Sequence, residues 1–413
     1  MKLVHAADIH LDSPMHGLSA YDTAPVAELR LATREALRNL VDLVLDERAE
    51  VLLIAGDLYD GDWEDYATGA FFVRQAQRLA EAGVRVAMLA GNHDARSRIT
   101  RGLRLPDNVH VLPVDAPGTI VFDDMGLAVH GQGYATQAVV DDLSLAYPRP
   151  LPGLVNVGLL HTSADGRPGH ERYAPCRVDR LAAHGYDYWA LGHVHQRELL
   201  HADPPILFPG CLQGRHVREA GPKGATVVEL DGGAPPVLTE HVLDHVRWAV
   251  CEVDASSHAG VDEVLATVEA ELRGAVEAAD GRLLAVRVEL RGASPAHAAL
   301  VRAGDELRWE VRSRAADVGG DGVWVEQVKL RTAPERSVSA DGDDVFAELV
   351  RALHVTAADD AAIAALGGEL EPLVGKLPAA LRAEWDPSSP DVVRELVGEL
   401  ADLLPARLLG DAA

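Results

Sequence analysis

Five short segments in the first half of the chain each carry side chains suited to metal binding directly after an apolar run. Their polar members are Asp8, His10, Asp57, Asn92, His93, Asp94, His161, His193 and His195. Carboxylates, an amide and imidazoles together make a mixed oxygen and nitrogen ligand set, which suits manganese, iron or zinc better than magnesium or calcium. The pattern therefore predicts a metal site that is assembled from five separate segments.

The chemistry that fits this ligand set best is phosphoester hydrolysis at two divalent ions. Such a site needs one carboxylate that bridges both ions, and Asp57, alone after its apolar run, suits that role. Asn92 and the imidazoles are neutral ligands, so the site keeps a net positive charge that binds phosphate and lowers the pKa of a water. Side chains two residues apart on a strand share a side, so Asp8 and His10 can reach one ion.

His93 has a different predicted role, because it directly follows the candidate ligand Asn92. Its side chain is expected to point away from the metal ions and toward the leaving group, where a general acid belongs. Asp94 is expected to orient it. These two residues are therefore the predicted catalytic residues.

The elements that position these side chains alternate between strand and helix. Apolar runs predict strands, and helical spacing of apolar residues predicts helices over Ala24–Glu47 and Tyr66–Ala82. The strands are expected at Lys2–Ala7, Val51–Ala55, Val84–Ala90, Val155–Leu160, Tyr188–Leu191, Ile206–Phe208 and Ala225–Leu230. The alternation indicates an α/β layered fold with its site at the carboxyl ends of the strands.

The sequence after the first part indicates two further parts, neither of which contains a cluster of candidate metal ligands. The predicted division is 1–240, 245–335 and 341–413. The middle part is a small α+β unit with a helix at Val261–Glu277 and strands at Trp248–Val253, Leu283–Leu290, Leu307–Arg312 and Val323–Leu330. The last part is helical over Asp344–Leu353, Asp359–Lys376 and Pro390–Leu409, and an apolar stripe on its last helix could dock a partner.

Composition limits the partners of this 413-residue chain. Its formal net charge is −26, whereas a protein that binds nucleic acid without a partner is expected to have a basic surface. Nucleic acid would have to be held by metal cations, a local basic patch or a basic partner. The absence of an 18-residue apolar run and of a signal-peptide pattern predicts a cytoplasmic protein without a membrane span.

The motifs Asp-x-His, Gly-Asp, Gly-Asn-His-Asp, a lone His and Gly-His-x-His, in this order, resemble the calcineurin-like metallophosphoesterase superfamily. The stretches at 5–14, 169–176 and 209–216 resemble the nuclease subunit of the bacterial SbcCD DNA-repair complex, most nearly its YhaO-like branch. The resemblance implies a four-layer β-sandwich flanked by helices, a small α+β cap domain that binds DNA, and a helical C-terminal tail that binds a partner.

The resemblance also implies roles for single residues. Asp8, His10, Asp57 and His195 would hold one Mn²⁺ ion, and Asp57, Asn92, His161 and His193 would hold the other, with His93 as the catalytic histidine. Asp60 departs from the archaeal and eukaryotic relatives, which carry a second functional histidine there. His170, Arg215 and His216 lie in loops beside the site. Each could contact the substrate or support the structure of its loop, and the sequence favours neither role.

Three functions follow from these observations. The first is a two-metal DNA exonuclease or endonuclease of DNA repair, a homodimer that works with an SMC-like (SbcC-type) ATPase. The second is a metallophosphoesterase of small phosphodiesters or phosphomonoesters. The third is a non-catalytic binding subunit. The complete ligand set disfavours the third, and the cap and tail favour the first over the second.

Overall fold

The structure, a computed structural model, describes residues 1–14, 24–60, 66–96, 103–164, 173–231, 234–334, 345–374, 376 and 388–409. It divides into two compact units. The first unit contains Met1–Ala249 and Arg282–Ala285, and the second contains Val250–Gly281 and Val286–Ala413. None of the described helices is long and apolar enough to span a membrane.

The first sheet of the first unit has six strands. They are β1 (Lys2–Ala6), β2 (Val51–Ile54), β3 (Arg85–Met88), β4 (Val109–Val111), β11 (Gly224–Glu229) and β12 (Val237–Val242). Their order is β12-β11-β1-β2-β3-β4. Strands β1 to β4 run parallel, whereas β11 and β12 are antiparallel to their neighbours. Four parallel carboxyl ends therefore meet at one edge of this sheet.

The second sheet of the first unit also has six strands. They are β5 (Gly118–Phe122), β6 (Leu127–Gly131), β7 (Val155–His161), β8 (Tyr188–Gly192), β9 (Glu198–Ala202) and β10 (Pro205–Phe208). Their order is β5-β6-β7-β8-β10-β9, and β6, β7, β8 and β10 are parallel. Strands β7 and β8 thus deliver their carboxyl ends, His161 and Gly192, side by side.

Three apolar layers hold the two sheets and their helices together. The sheets pack on each other through fully buried side chains such as Leu53 and Leu159. Helices α1 (Val26–Asp46) and α2 (Tyr66–Glu81) cover the outer face of the first sheet. Helix α3 (Val178–Ala183) packs through Leu181 against Trp189 of the second sheet. The predicted four-layer sandwich flanked by helices is confirmed.

The second unit is built around three strands and two long helices. The strands are β13 (Val246–Asp254), β14 (Leu283–Ser294) and β15 (Val323–Pro334), which form one sheet, and the helices are α4 (Val261–Ala279) and α5 (His297–Gly319). In the part of the tail that the structure describes, three helices follow, namely α6 (Val345–Ala358), α7 (Asp360–Val374) and α8 (Pro390–Leu409). A small α+β part and a helical tail are therefore present, while the boundaries 1–240, 245–335 and 341–413 stay a prediction.

One predicted strand is wrong, because Leu307–Arg312 lies inside helix α5. In a strand, Leu307, Trp309 and Val311 would share one side. Trp309 is in fact 61% exposed, whereas Leu307, Val311 and Ala315 are buried at a spacing of four residues. This spacing is that of a helix face.

Candidate metal centre

The candidate ligands lie at or just beyond the strand ends, and four of them have an unusual backbone. Asp8, His10, Asp57 and His193 all have a positive φ, of 50°, 46°, 52° and 102°. Strand β1 ends at Ala6, so Asp8 and His10 do not share a side by strand alternation as predicted. Left-handed backbone of this kind stores about 1–3 kcal/mol per residue and is found mostly at functional sites.

Backbone amides of one loop hold the carboxylates of another. The N–H of His193 donates to the Asp8 carboxylate at 2.9 Å, and the N–H of His93 donates to Asp57 Oδ1 at 2.9 Å. The N–H of His10 donates to the Asp57 carbonyl at 3.0 Å. Four loops that are distant in sequence are thereby fixed relative to one another, and both carboxylates are fully buried.

One group of donors forms around His161. Its Nδ1 lies 2.9 Å from the Ala55 carbonyl, which can only accept, so Nδ1 carries a proton and Nε2 is the nitrogen available to a metal ion. Nε2 lies 2.9 Å from Asn92 Oδ1 and 3.4 Å from Asp57 Oδ2. The ring of His193 lies 5.2 Å from that of His161. All four residues predicted for one ion are thus close together.

The second group of donors forms around His195. Its Nε2 lies 3.2 Å from His10 Nε2 and 3.9 Å from Asp8 Oδ1, while its Nδ1 contacts Glu219 Oε1 at 2.6 Å. Ligand atoms of Asp8, His10 and His195 lie within 4.8 Å of one another, and so do those of Asp8, Asp57 and His161. The two groups therefore adjoin each other.

The donor set fits divalent metal ions. At His161, Nε2, an amide oxygen and a carboxylate oxygen face the same point, so positive charge between them, carried by a proton or by a metal cation, is favourable. Burial opposes a charge on His161, but Asp57 and Asp8 outweigh it and raise the pKa of His161 to about 9. The site is therefore built to hold positive charge.

Two glycines leave room for this convergence. A Cβ on Gly91 would fall on the carboxylate of Asp57, and a Cβ on Gly56 would fall on Nδ1 of His161. Gly56 also has a φ of +94°, which side chains rarely allow. The glycines of the Gly-Asp and Gly-Asn-His-Asp motifs are thus required by close packing at the site.

His93 lies beside the two groups and is paired with Asp60. Its Nδ1 is 2.7 Å from Asp60 Oδ1, and its ring packs edge-on against that of His10 with centroids 4.9 Å apart. Burial opposes the charged form of His93, but the hydrogen bond to Asp60 and the charges of Asp57 and Asp60 outweigh it and raise the pKa of His93. About a third of the side chain is exposed, so a substrate can reach it.

The structure does not show the predicted contact in which Asp94 would orient His93. The Asp94 carboxylate accepts the N–H groups of Tyr59 at 2.9 Å, Gly91 at 3.0 Å and Leu58 at 3.2 Å. It therefore ties the loop after β2 to the loop after β3, and Asp60 is the carboxylate that contacts His93. Burial and the nearby Asp57 raise the pKa of Asp94 to about 7.

Asp60 itself is held from two further sides. Ser13 Oγ donates to its Oδ2 at 2.6 Å, and Arg215 donates to the same oxygen at 3.1 Å. Burial opposes ionisation, but the hydrogen bonds from His93 and Ser13 and the charge of Arg215 lower the pKa of Asp60 to about 2. Asp60 is thus a fixed anion beside His93.

This pairing predicts a pH effect for Asp60→Asn. His93 has to carry its proton to act as an acid, and Asp60 raises its pKa, so loss of the charge should move the alkaline limb of activity to lower pH. We expect hydrolysis of esters with poor leaving groups to fall by roughly 10–100-fold, part of what a general acid contributes. A pH–rate profile measures both effects, and an unchanged alkaline limb would contradict the pairing.

The three residues that could contact the substrate, Arg215, His216 and His170, differ in their surroundings. Arg215 is largely buried and contacts Asp60 and Glu219, whereas His216 is half exposed with its Nε2 3.8 Å from Glu219. His170 lies outside the described residues. Sequence reasoning did not identify Glu219, which is buried and contacts His195. Its position five residues after Gly214 carries no motif, so spacing alone could not have found it.

The fold and the convergence of these ligands define a metal-dependent phosphoesterase. The chain belongs to the calcineurin-like phosphoesterase family, whose pattern matches residues 1–197, and residues 248–333 match the middle domain of metallophosphoesterase YhaO. It is a metal-dependent phosphodiesterase, a hydrolase that uses divalent metal.

Three relatives illustrate the similarity. The uncharacterized metallophosphoesterase YhaO of Bacillus subtilis is 31% identical over 302 residues, which are 71% of this chain and 72% of the relative. The DNA double-strand break repair protein Mre11 of Methanopyrus kandleri is 26% identical over 377 residues, 83% and 74% of the two chains. The SbcD component of the nuclease SbcCD of Staphylococcus saprophyticus is 23% identical over 263 residues, 56% and 61% of the two chains.

Proposed function

We propose that this chain is a DNA nuclease that hydrolyses phosphodiester bonds at two Mn²⁺ ions and works with an SMC-like ATPase in DNA repair. The observation that carries the proposal is the pair of adjoining ligand groups, with His93, whose side chain is about one third exposed, and its partner Asp60 beside them. Two relatives of the chain are named for nuclease activity or double-strand break repair, which supports DNA as the substrate.

In this proposal the ligands divide as the sequence suggested. Asp8, His10 and His195 would hold one ion, Asn92, His161 and His193 would hold the other, and Asp57 would contribute to both. Bound divalent ions supply positive charge for the phosphate and a water of lowered pKa. Glu219 and the Ala55 carbonyl fix the tautomers of His195 and His161, so that each ring offers its Nε2.

His93 performs the proton transfer in this scheme. With Nδ1 held by Asp60, the Nε2–H is the proton that can pass to the departing oxygen of the diester. The negative charge of Asp60 stabilises the protonated ring before transfer and fixes its orientation. Arg215, Ser13 and His93 surround Asp60 with donors, so this carboxylate stays ionised and in place.

A comparison of substrates tests the proposal. The purified chain with Mn²⁺ is given a chromogenic diester, a nucleoside monophosphate and end-labelled duplex DNA, with and without an SMC-like ATPase from the same organism. We expect cleavage of both diesters and stimulation of duplex cleavage by the ATPase with ATP. Rapid hydrolysis of the monophosphate with no cleavage of DNA would instead favour a phosphatase of small substrates.

The proposal assigns partner binding to the helical tail. Part of the apolar stripe on the last helix is used within the tail, since Val393 and Val397 are buried in one cluster with Ile363 of α7. Val355 on α6 and Leu373 on α7 are 69% and 58% exposed, although they are apolar. A basic ATPase subunit bound there would supply the DNA-binding surface that a chain of net charge −26 lacks.

Removal of the tail should separate chemistry from assembly. Truncation after Ala340, or the double variant Val355→Asp with Leu373→Asp, should leave chromogenic diester hydrolysis close to wild type. Both should lose co-purification with the ATPase and ATP-stimulated duplex cleavage. The matched control is Val140→Asp, which changes an exposed valine of the first unit. Retention of ATPase binding by the double variant would show that the tail is not the docking surface.

A further inference from the structure

Glu219 is a buried carboxylate, 7% exposed, that no motif of the sequence singled out. Its Oε1 lies 2.6 Å from His195 Nδ1 and 3.2 Å from the Arg215 guanidinium, and its Oε2 accepts the Arg215 backbone N–H at 2.7 Å. Three donors therefore converge on it. A carboxylate held so firmly cannot turn away from His195 without leaving donors unpaired.

The contact with His195 decides which nitrogen of that ring is available. An ionised carboxylate only accepts, so Nδ1 of His195 carries its proton and Nε2 presents a lone pair toward Asp8 and His10. Carboxylate partners of this kind fix the tautomer and ring orientation of metal-binding histidines and raise their basicity. Arg215 balances the buried negative charge, which would otherwise be unfavourable.

We propose that Glu219 is a positioning residue for His195 and thereby sets the affinity of one of the two metal sites, an inference that rests on the proposed function. In the other site, which includes Asn92 and His161, the Ala55 carbonyl fixes the orientation of His161 instead. The two sites should therefore respond differently to a change at position 219.

The test is Mn²⁺ binding by the full chain, measured by isothermal titration. Glu219→Gln keeps the size of the side chain but removes the charge, and its single acceptor oxygen cannot serve both His195 and the Arg215 amide. We expect one of two sites to weaken by roughly 10–100-fold and the other to change little. The matched control is Glu229→Gln on β11, whose side chain is about half exposed and faces Lys2 at 3.9 Å.

A second readout separates positioning from general damage to the fold. The Mn²⁺ concentration for half-maximal diester hydrolysis should rise by the same factor in Glu219→Gln, while the rate at saturating Mn²⁺ recovers to within about threefold of wild type. Glu219→Asp, which keeps the charge at shorter reach, should lie between wild type and Glu219→Gln.

Two outcomes would contradict this inference and leave the proposed function intact. One is two unchanged Mn²⁺ affinities in Glu219→Gln. Another is a rate that stays low at saturating Mn²⁺ in both Glu219→Gln and Glu219→Asp, since that pattern indicates a structural role. A wild-type chain that binds no Mn²⁺ would instead contradict the proposed function itself.

Discussion

Replacement of Asp57 by Asn should abolish phosphodiester hydrolysis while the fold is kept. Asp57 is the proposed bridge between both ions, and Asp8, the other carboxylate among the ligands, is proposed to contact only one of them. A loss of about 4 kcal/mol of charge stabilisation in the transition state corresponds to roughly 10³-fold in rate. The fold should survive because an Asn oxygen can still accept the His93 N–H that Asp57 Oδ1 accepts now.

The measurement is the rate on a chromogenic diester together with bound Mn²⁺ per chain. Circular dichroism before and after heating checks that Asp57→Asn is folded. Asp124→Asn, which changes an exposed partner of Arg85, is the matched control and should behave as wild type. Normal turnover in Asp57→Asn would exclude the shared-carboxylate assignment.

His93→Ala should slow hydrolysis by roughly 10²–10⁴-fold, the usual contribution of a general acid. Both ions should stay bound, because His93 is not among the proposed ligands and its Nδ1 is committed to Asp60. The loss should depend on the ester. A diester whose leaving group needs no proton should be affected far less than DNA or an alkyl ester.

The comparison requires two esters that differ mainly in the pKa of the departing alcohol. His241→Ala on β12 changes a histidine outside the site and should leave both rates unchanged. An equal loss on both esters in His93→Ala would mean that the ring supports the loop structurally. Loss of bound Mn²⁺ would mean that it is a ligand.

The four-layer fold could be predicted because its strands and helices are regular in sequence. The run Val51–Ile54 is apolar throughout, and the structure covers it on both faces. The ligand motifs were visible for the same reason, since each follows such a run. His5 and His130 follow or lie within such runs too, but they are core residues with buried contacts to Tyr188 and to Asn156.

Contacts between side chains that are distant along the chain could not be predicted from the sequence. Asp94 is adjacent to His93, yet Asp60, 33 positions earlier, is the residue that contacts it, because the loops after β2 and β3 lie side by side. Glu219 reaches His195 across 24 positions for a similar reason. The left-handed backbone at Asp8 and His10 was also hidden, since aspartate and histidine do not indicate it as glycine does.

The most direct test of the two-metal centre is the position of Mn²⁺ in crystals of the chain, located by anomalous scattering. We expect two peaks about 3.5–4 Å apart, as in other two-metal sites, both in contact with the carboxylate of Asp57. One peak should lie against His10 and His195 and the other against Asn92 and His161. A single peak, or two peaks of which Asp57 touches only one, would contradict the two-metal assignment.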